Sequence, residues 1–208
     1  MSAHAIAAHA AGSLGLWLVS RASGLVLLVL FSIVMVLGVA TRTGAMARRW
    51  PRFAVAELHR NLSMFAVALL VLHVATAVLD PFVSIGAIAA VLPFTSHYET
   101  VALGAGTLAV DLGGAVLITS LLRTRLGLRA WRAVHYLAYL AWPVAFVHAI
   151  RAASYDQRLW WVALTEWGCL AAVATAVVLR LLRRGSPAPC RPSQDPPPSR
   201  TTEQLARR

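Results

Sequence analysis

The chain has 208 residues, 59% of them hydrophobic, a mean hydropathy of +0.68 and a formal net charge of +11 at pH 7. So apolar a composition excludes a water-soluble domain wetted on all sides and points to a lipid bilayer. Nor does the charge indicate nucleic acid: all nineteen basic residues are arginines, and nearly all lie between or after apolar runs, where they report topology.

Residues 1–13 read as a short outer N-terminal segment. No secretory signal is expected there, because no basic residue precedes the first apolar core. A hydrocarbon core of about 30 Å needs roughly 20 helical residues. Five stretches meet that length, at 16–40, 59–79, 101–122, 131–150 and 159–182. The expected fold is therefore all-α and integral to the membrane, a bundle of five transmembrane helices.

Between the first two spans lie Arg42, Arg48, Arg49 and Arg52, and between the third and fourth Arg123, Arg125, Arg129 and Arg132; Arg180, Arg183 and Arg184 end the fifth. The loop 80–100 has no Lys or Arg, and the fourth has only Arg151 and Arg158 beside Asp156. By the positive-inside rule the N-terminus lies outside and the C-terminus is cytoplasmic, in a multi-pass protein of the cell (plasma) membrane. Within the outer loop, 82–92 is apolar but bracketed by Pro81 and Pro93, and about eleven residues cannot span; an interfacial or re-entrant piece is expected. The tail 185–208, with six of its residues proline, has little to bury and reads as a disordered cytoplasmic extension. Cys169 sits in an apolar run and Cys190 in that tail, so no disulfide is expected. There is no internal repeat, and no soluble segment long enough for a flavin or nicotinamide site.

Four histidines carry the chemistry. The second and fourth spans run in the same direction, so His59 matches His135 in depth and His73 matches His148. Separations of fourteen and thirteen residues place the two levels about 20 Å apart at about 1.5 Å per residue. Two planar macrocycles can stack between these helices. An iron held by two neutral imidazoles has no open coordination position and suits electron transfer better than oxygen binding. His59 and His73 fall within about 40° of one helical face, whereas His135 and His148 are about 140° apart in an ideal helix. Pro143 lies between the latter two, and a kink there is the expected remedy. One histidine in a membrane is as well explained by a bond between helices; four in two depth-matched pairs are not.

The stretches 57–63 (ELHRNLS) through His73, and 131–135 (WRAVH) through His148, resemble the ferric reductase-like transmembrane domain. That family includes the membrane parts of ferric reductases and NADPH oxidases and the haem-binding membrane subunit of a bacterial methionine sulfoxide reductase system. The resemblance covers about residues 14–184. It implies that His59 and His135 ligate a cytoplasmic-side b-type haem, and His73 and His148 an outer one, two haems b in all. It further implies the haem membrane subunit of an oxidoreductase, taking electrons from a cytoplasmic flavin reductase or a membrane quinol and passing them to ferric iron or a redox partner protein outside. Oxidase-type members have a sixth helix and a flavin and NADPH domain, which this chain lacks. The alternative is a non-redox transporter or assembly factor whose histidines bind metal or move protons.

Other polar residues divide between roles. Arg21, one turn inside the outer end of the first span, is placed for the outer haem's propionates or for snorkelling. Arg60 and Arg132 border basic loops and read as topology first, propionate partners second. Asp111, mid-span, should face the bundle, protonated or partnered; Glu166 receives the same reading. His97 reads as a solvated loop histidine. The tryptophans and tyrosines mostly form an aromatic belt, with Tyr136, Tyr139 and Trp142 between the two levels.

Overall fold

The computed structural model describes residues 3–43, 50–80, 85–97, 99–153 and 158–184. The expected tail with Cys190, and residues 82–84 of the proline-bracketed segment together with Pro81, lie outside these residues. Helix α1 is Ala3–Thr43, α2 Arg52–Leu79, α3 Thr100–Leu121, α4 Arg123–His135, α5 Ala138–Ala152 and α6 Trp160–Arg184. The elements cover the expected spans but three begin earlier: α1 at Ala3, so residues 3–13 continue the first helix, α2 at Arg52 instead of 59, and α4 at Arg123 instead of 131. Within the outer loop, Ala87–Ala90 forms a single 3₁₀ turn, too short to span.

Helices α1, α2, α3 and α6 are each long and apolar enough to cross a membrane, and α4 with α5, bent by 44°, meets the same test as a pair, so the described residues hold four spans, or five where the bent pair counts as one. Exposed side chains such as Val26, Ile33, Val71, Ile118 and Leu164 give the bundle an apolar exterior, as lipid requires. This is a multi-pass membrane protein.

The break in the fourth span falls after His135, seven residues before Pro143, through which α5 runs without interruption. At the break the backbone tightens to 3₁₀ bonds, Leu137 N to Val134 O at 2.9 Å, Tyr139 N to Tyr136 O at 3.0 Å and Leu140 N to Leu137 O at 2.9 Å. Three residues wound at about 120° instead of about 100° add about 60°, which narrows the angle between His135 and His148 from about 140° to about 80°. The kink expected at Pro143 is thus replaced by an overwound turn beside the histidine itself. Farther back, Gly127 breaks α4 itself with a kink at φ 75°, ψ 158°, a region that only glycine adopts without strain.

Two antiparallel hairpins organise the bundle. In the first, α1 lies along α2; in the second, α3 lies along α5 and α4. Helix α1 also packs on α5 and α6 and joins the hairpins. Its seam with them is built from Leu28, Trp142, Phe146, Cys169 and Val173, with Trp142 stacked on Phe146 at 5.3 Å. The buried Trp142 indole donates to Ser32 Oγ at 3.0 Å, and that hydroxyl donates to Leu28 O at 2.7 Å. Ser32→Ala removes the indole's acceptor and is expected to cost about 1 kcal/mol, the scale of buried interhelical bonds in membranes. A thermal melt of the detergent-purified variant checks this; an unchanged midpoint contradicts it.

Candidate cofactor cavity

Helix α2 has no extensive packing on α3 or α5 among the described residues, and between the hairpins lies a cavity of about 1360 Å³. That exceeds the about 300–1,000 Å³ of a single small-molecule site. His59, His73, His135 and His148 all line it. Toward one end it is lined by Arg60, Arg123, Arg132 and Arg180, and toward the other by Arg21 and Arg151.

Three of the four imidazoles are seated in the same way. His73 Nδ1 meets Ser20 O at 2.9 Å, His59 Nδ1 meets Val34 O at 3.0 Å and His148 Nδ1 meets Ala102 O at 2.7 Å. A carbonyl only accepts, so Nδ1 carries the proton in each ring and Nε2 keeps its lone pair. Four residues after each carbonyl stands a glycine: Gly24, Gly38 and Gly106. A Cβ on Gly24 would lie 3.0 Å from His73 Cε1, on Gly38 3.3 Å from His59 Cε1, and on Gly106 2.7 Å from His148 Nδ1. Because a helical carbonyl bonds the amide four residues on, each glycine supplies both the gap for the ring and the amide that shares the carbonyl. Gly24 and Gly38 are fourteen residues apart on α1, as His73 and His59 are on antiparallel α2. That equal spacing was available in the sequence and is the signal the reading of histidines alone missed.

His135 is held otherwise. Its ring lies 5.0 Å from that of Trp131, and the Trp131 indole donates to Ser120 Oγ at 3.3 Å. Ser120 stands fourteen residues after Gly106, where a fourth glycine would complete the pattern. Arg123 lies over the Trp131 ring at 5.5 Å.

Across the cavity, the ring centres of His73 and His148 are 6.3 Å apart, at 77° to one another. With metal–imidazole bonds of about 2 Å and about 1 Å more from nitrogen to ring centre on each side, two imidazoles sharing one metal have centres about 6 Å apart. His59 and His135 lie toward the arginine-rich end. With an Nε2 lone pair on three of the four rings, a cavity between the two hairpins and seats crowded against a methyl group at Gly24 and Gly106, these residues fit a planar tetrapyrrole held between imidazoles.

The remaining candidates sort clearly. Arg21 donates to Ala152 O, lies 5.3 Å over Trp17 and lines the cavity near the His73 and His148 pair. Arg60 is exposed and pairs with Glu57 at 2.6 Å, while Arg132 is exposed on α4. Glu166 is 2% exposed and lines the cavity, as does the buried Asp80 that ends α2. Asp111 does not face the bundle: it is exposed, because nine residues place it about 180° around α3 from the buried Ala102. His97 is exposed in its loop. Tyr136 and Tyr139 line the cavity around Arg180, a residue the sequence had marked only as a topology signal.

Residues 23–146, more than half of the chain, match the family model described as ferric reductase like transmembrane component. The chain belongs to that family. No curated protein and no solved structure gives a match. The matched stretch contains His59, His73 and His135 and stops two residues short of His148. Membership in the ferric reductase-like family assigns the chain to transmembrane electron transfer in general, and domains of this kind generally bind haem.

Proposed function

We propose that the chain is a dihaem b-type cytochrome that conducts electrons across the plasma membrane, with His73 and His148 as axial ligands of one haem and His59 and His135 of the other. The observation that carries this reading is the 6.3 Å spacing of the His73 and His148 rings across a slot between helices. Bound haem iron supplies one-electron redox chemistry at each level. The protein's part is to hold and orient. The carbonyls of Ser20, Val34 and Ala102 fix each Nδ1 proton, which aims the Nε2 lone pair and makes it a better donor. The cavity walls are mostly apolar, and the Arg21 fork offers a cation to propionates at the outer level.

The arginine-rich end, with His59 and His135, is the cytoplasmic one by the positive-inside rule. Electrons enter there from a flavin reductase, or from a membrane quinol, and leave near His73 and His148 to ferric iron or a redox partner protein. The rival reading, a transporter or assembly factor using its histidines for metal or protons, has less support. Among the described residues, no three His, Cys, Asp or Glu side chains come together as a metal site.

A dithionite-reduced minus oxidised spectrum of the purified chain, with pyridine haemochrome stoichiometry, tests the reading. About two b-type haems per chain are expected, from two bis-imidazole pairs. A colourless protein from haem-replete cells overturns it in favour of the rival.

A further inference from the structure

Arg180 lies four residues before the end of α6, yet only 9% of it is exposed. Its guanidinium donates to the Tyr139 hydroxyl and lies over the rings of Tyr139 and Tyr136, at 5.1 and 5.7 Å. It lines the cavity. Among the described residues no Asp or Glu pairs with it. A buried cation in a membrane is costly without an anion. Two aromatic faces and one phenol offset part of that cost, but a guanidinium has five N–H donors. Arg60, by contrast, is exposed and already paired with Glu57.

The cage also fixes the level at which the charge sits. Tyr136 and Tyr139 follow His135 by one and four residues, so Arg180 stands beside the His59 and His135 level. A planar fork fits a carboxylate with two parallel bonds.

We propose that Arg180, oriented by Tyr139 and Tyr136, is an anion-binding residue at the arginine-rich end of the cavity and that its ligand is a carboxylate of the tetrapyrrole held there. This rests on the haem reading above. Arg180 thereby anchors the ring from a helix that carries no axial ligand, and its positive charge favours the reduced iron.

The test uses the full chain carrying His148→Leu, so that one level is filled, produced in haem-limited cells and titrated with haem or with haem dimethyl ester. The chain with Arg180 is expected to bind the diacid at least tenfold more tightly than the diester, read from the Soret band. Arg180→Leu brings that ratio close to one, and Arg180→Lys, a charge without a fork, leaves it intermediate. Tyr139→Phe lowers the ratio without abolishing binding, and with Arg180→Lys it carries the test if the leucine variant fails to fold. Equal affinity for acid and ester in the Arg180 chain overturns the assignment. So does an unchanged ratio in Arg180→Leu accompanied by loss of copurified phospholipid phosphate, which makes a lipid headgroup the ligand. A chain that takes up neither porphyrin overturns the haem reading itself, and the assignment with it.

Discussion

Leucine in place of His73 or of His148 is expected to leave about one haem per chain instead of about two, and the double variant about one as well, because both residues serve one iron. Their ring centres lie 6.3 Å apart, edge to face, so removing either opens the same site. Leucine at His59 or His135 is expected to remove the other haem, and His59→Leu combined with His73→Leu to remove both. The fold should survive these changes. The Ser20 and Ala102 carbonyls keep their helical amide donors when the imidazole is gone, and leucine is at home in a membrane helix. Pyridine haemochrome on detergent-purified variants, with a thermal melt as a folding check, decides the matter. Additive loss in the His73 and His148 double variant would show that the two do not share an iron.

The second large effect concerns the glycines. Gly106→Ala puts a methyl carbon 2.7 Å from His148 Nδ1 and 2.8 Å from its Cε1, closer than such atoms approach. The ring cannot swing aside freely, since Ala102 O holds it at 2.7 Å. Overpacking of this kind costs about 1–3 kcal/mol, more than the about 1 kcal/mol that alanine gains over glycine in a helix. The variant is expected to lose the His73 and His148 haem and to melt earlier. At Gly24 the clash is milder, with Cε1 at 3.0 Å, and at Gly38 milder still, at 3.3 Å. The order of damage should therefore be Gly106, Gly24, Gly38, with the last close to neutral. Haem content and melting temperature across the three variants check the order; equal damage at all three would mean that the seats do not set ring position.

Much of the architecture was readable from apolar runs and arginine clusters, because lipid imposes helix length and composition directly. The paired depths of the histidines were readable too, since rise per residue is fixed once a helix is assumed. What could not be read were features that depend on how one helix meets another. The sequence shows Pro143, which marks a kink by rule, but not that the chain overwinds at Tyr136 and Leu137 instead. Asp111 looked inward because an ionisable group in a span usually does; which side of α3 meets α5 is a packing outcome, and it left Asp111 outside. Arg180 resembled its neighbours Arg183 and Arg184, and only the fold sets it between two tyrosines.

The seats have a bearing on how the protein is made. His59 and His73 take both carbonyl and glycine from α1, and His148 takes them from α3, the antiparallel partner of α5 in its own hairpin. None of the three is oriented from across the cavity. A ribosome that has delivered residues up to the end of α2 has therefore already emitted two aimed imidazoles, before the helices that will face them exist. The second hairpin arrives as a finished wall in its turn. Cofactor uptake then has only to bring two rigid walls together, with little ordering left to do at the ligands themselves. Biogenesis and affinity thus draw on the same three glycines.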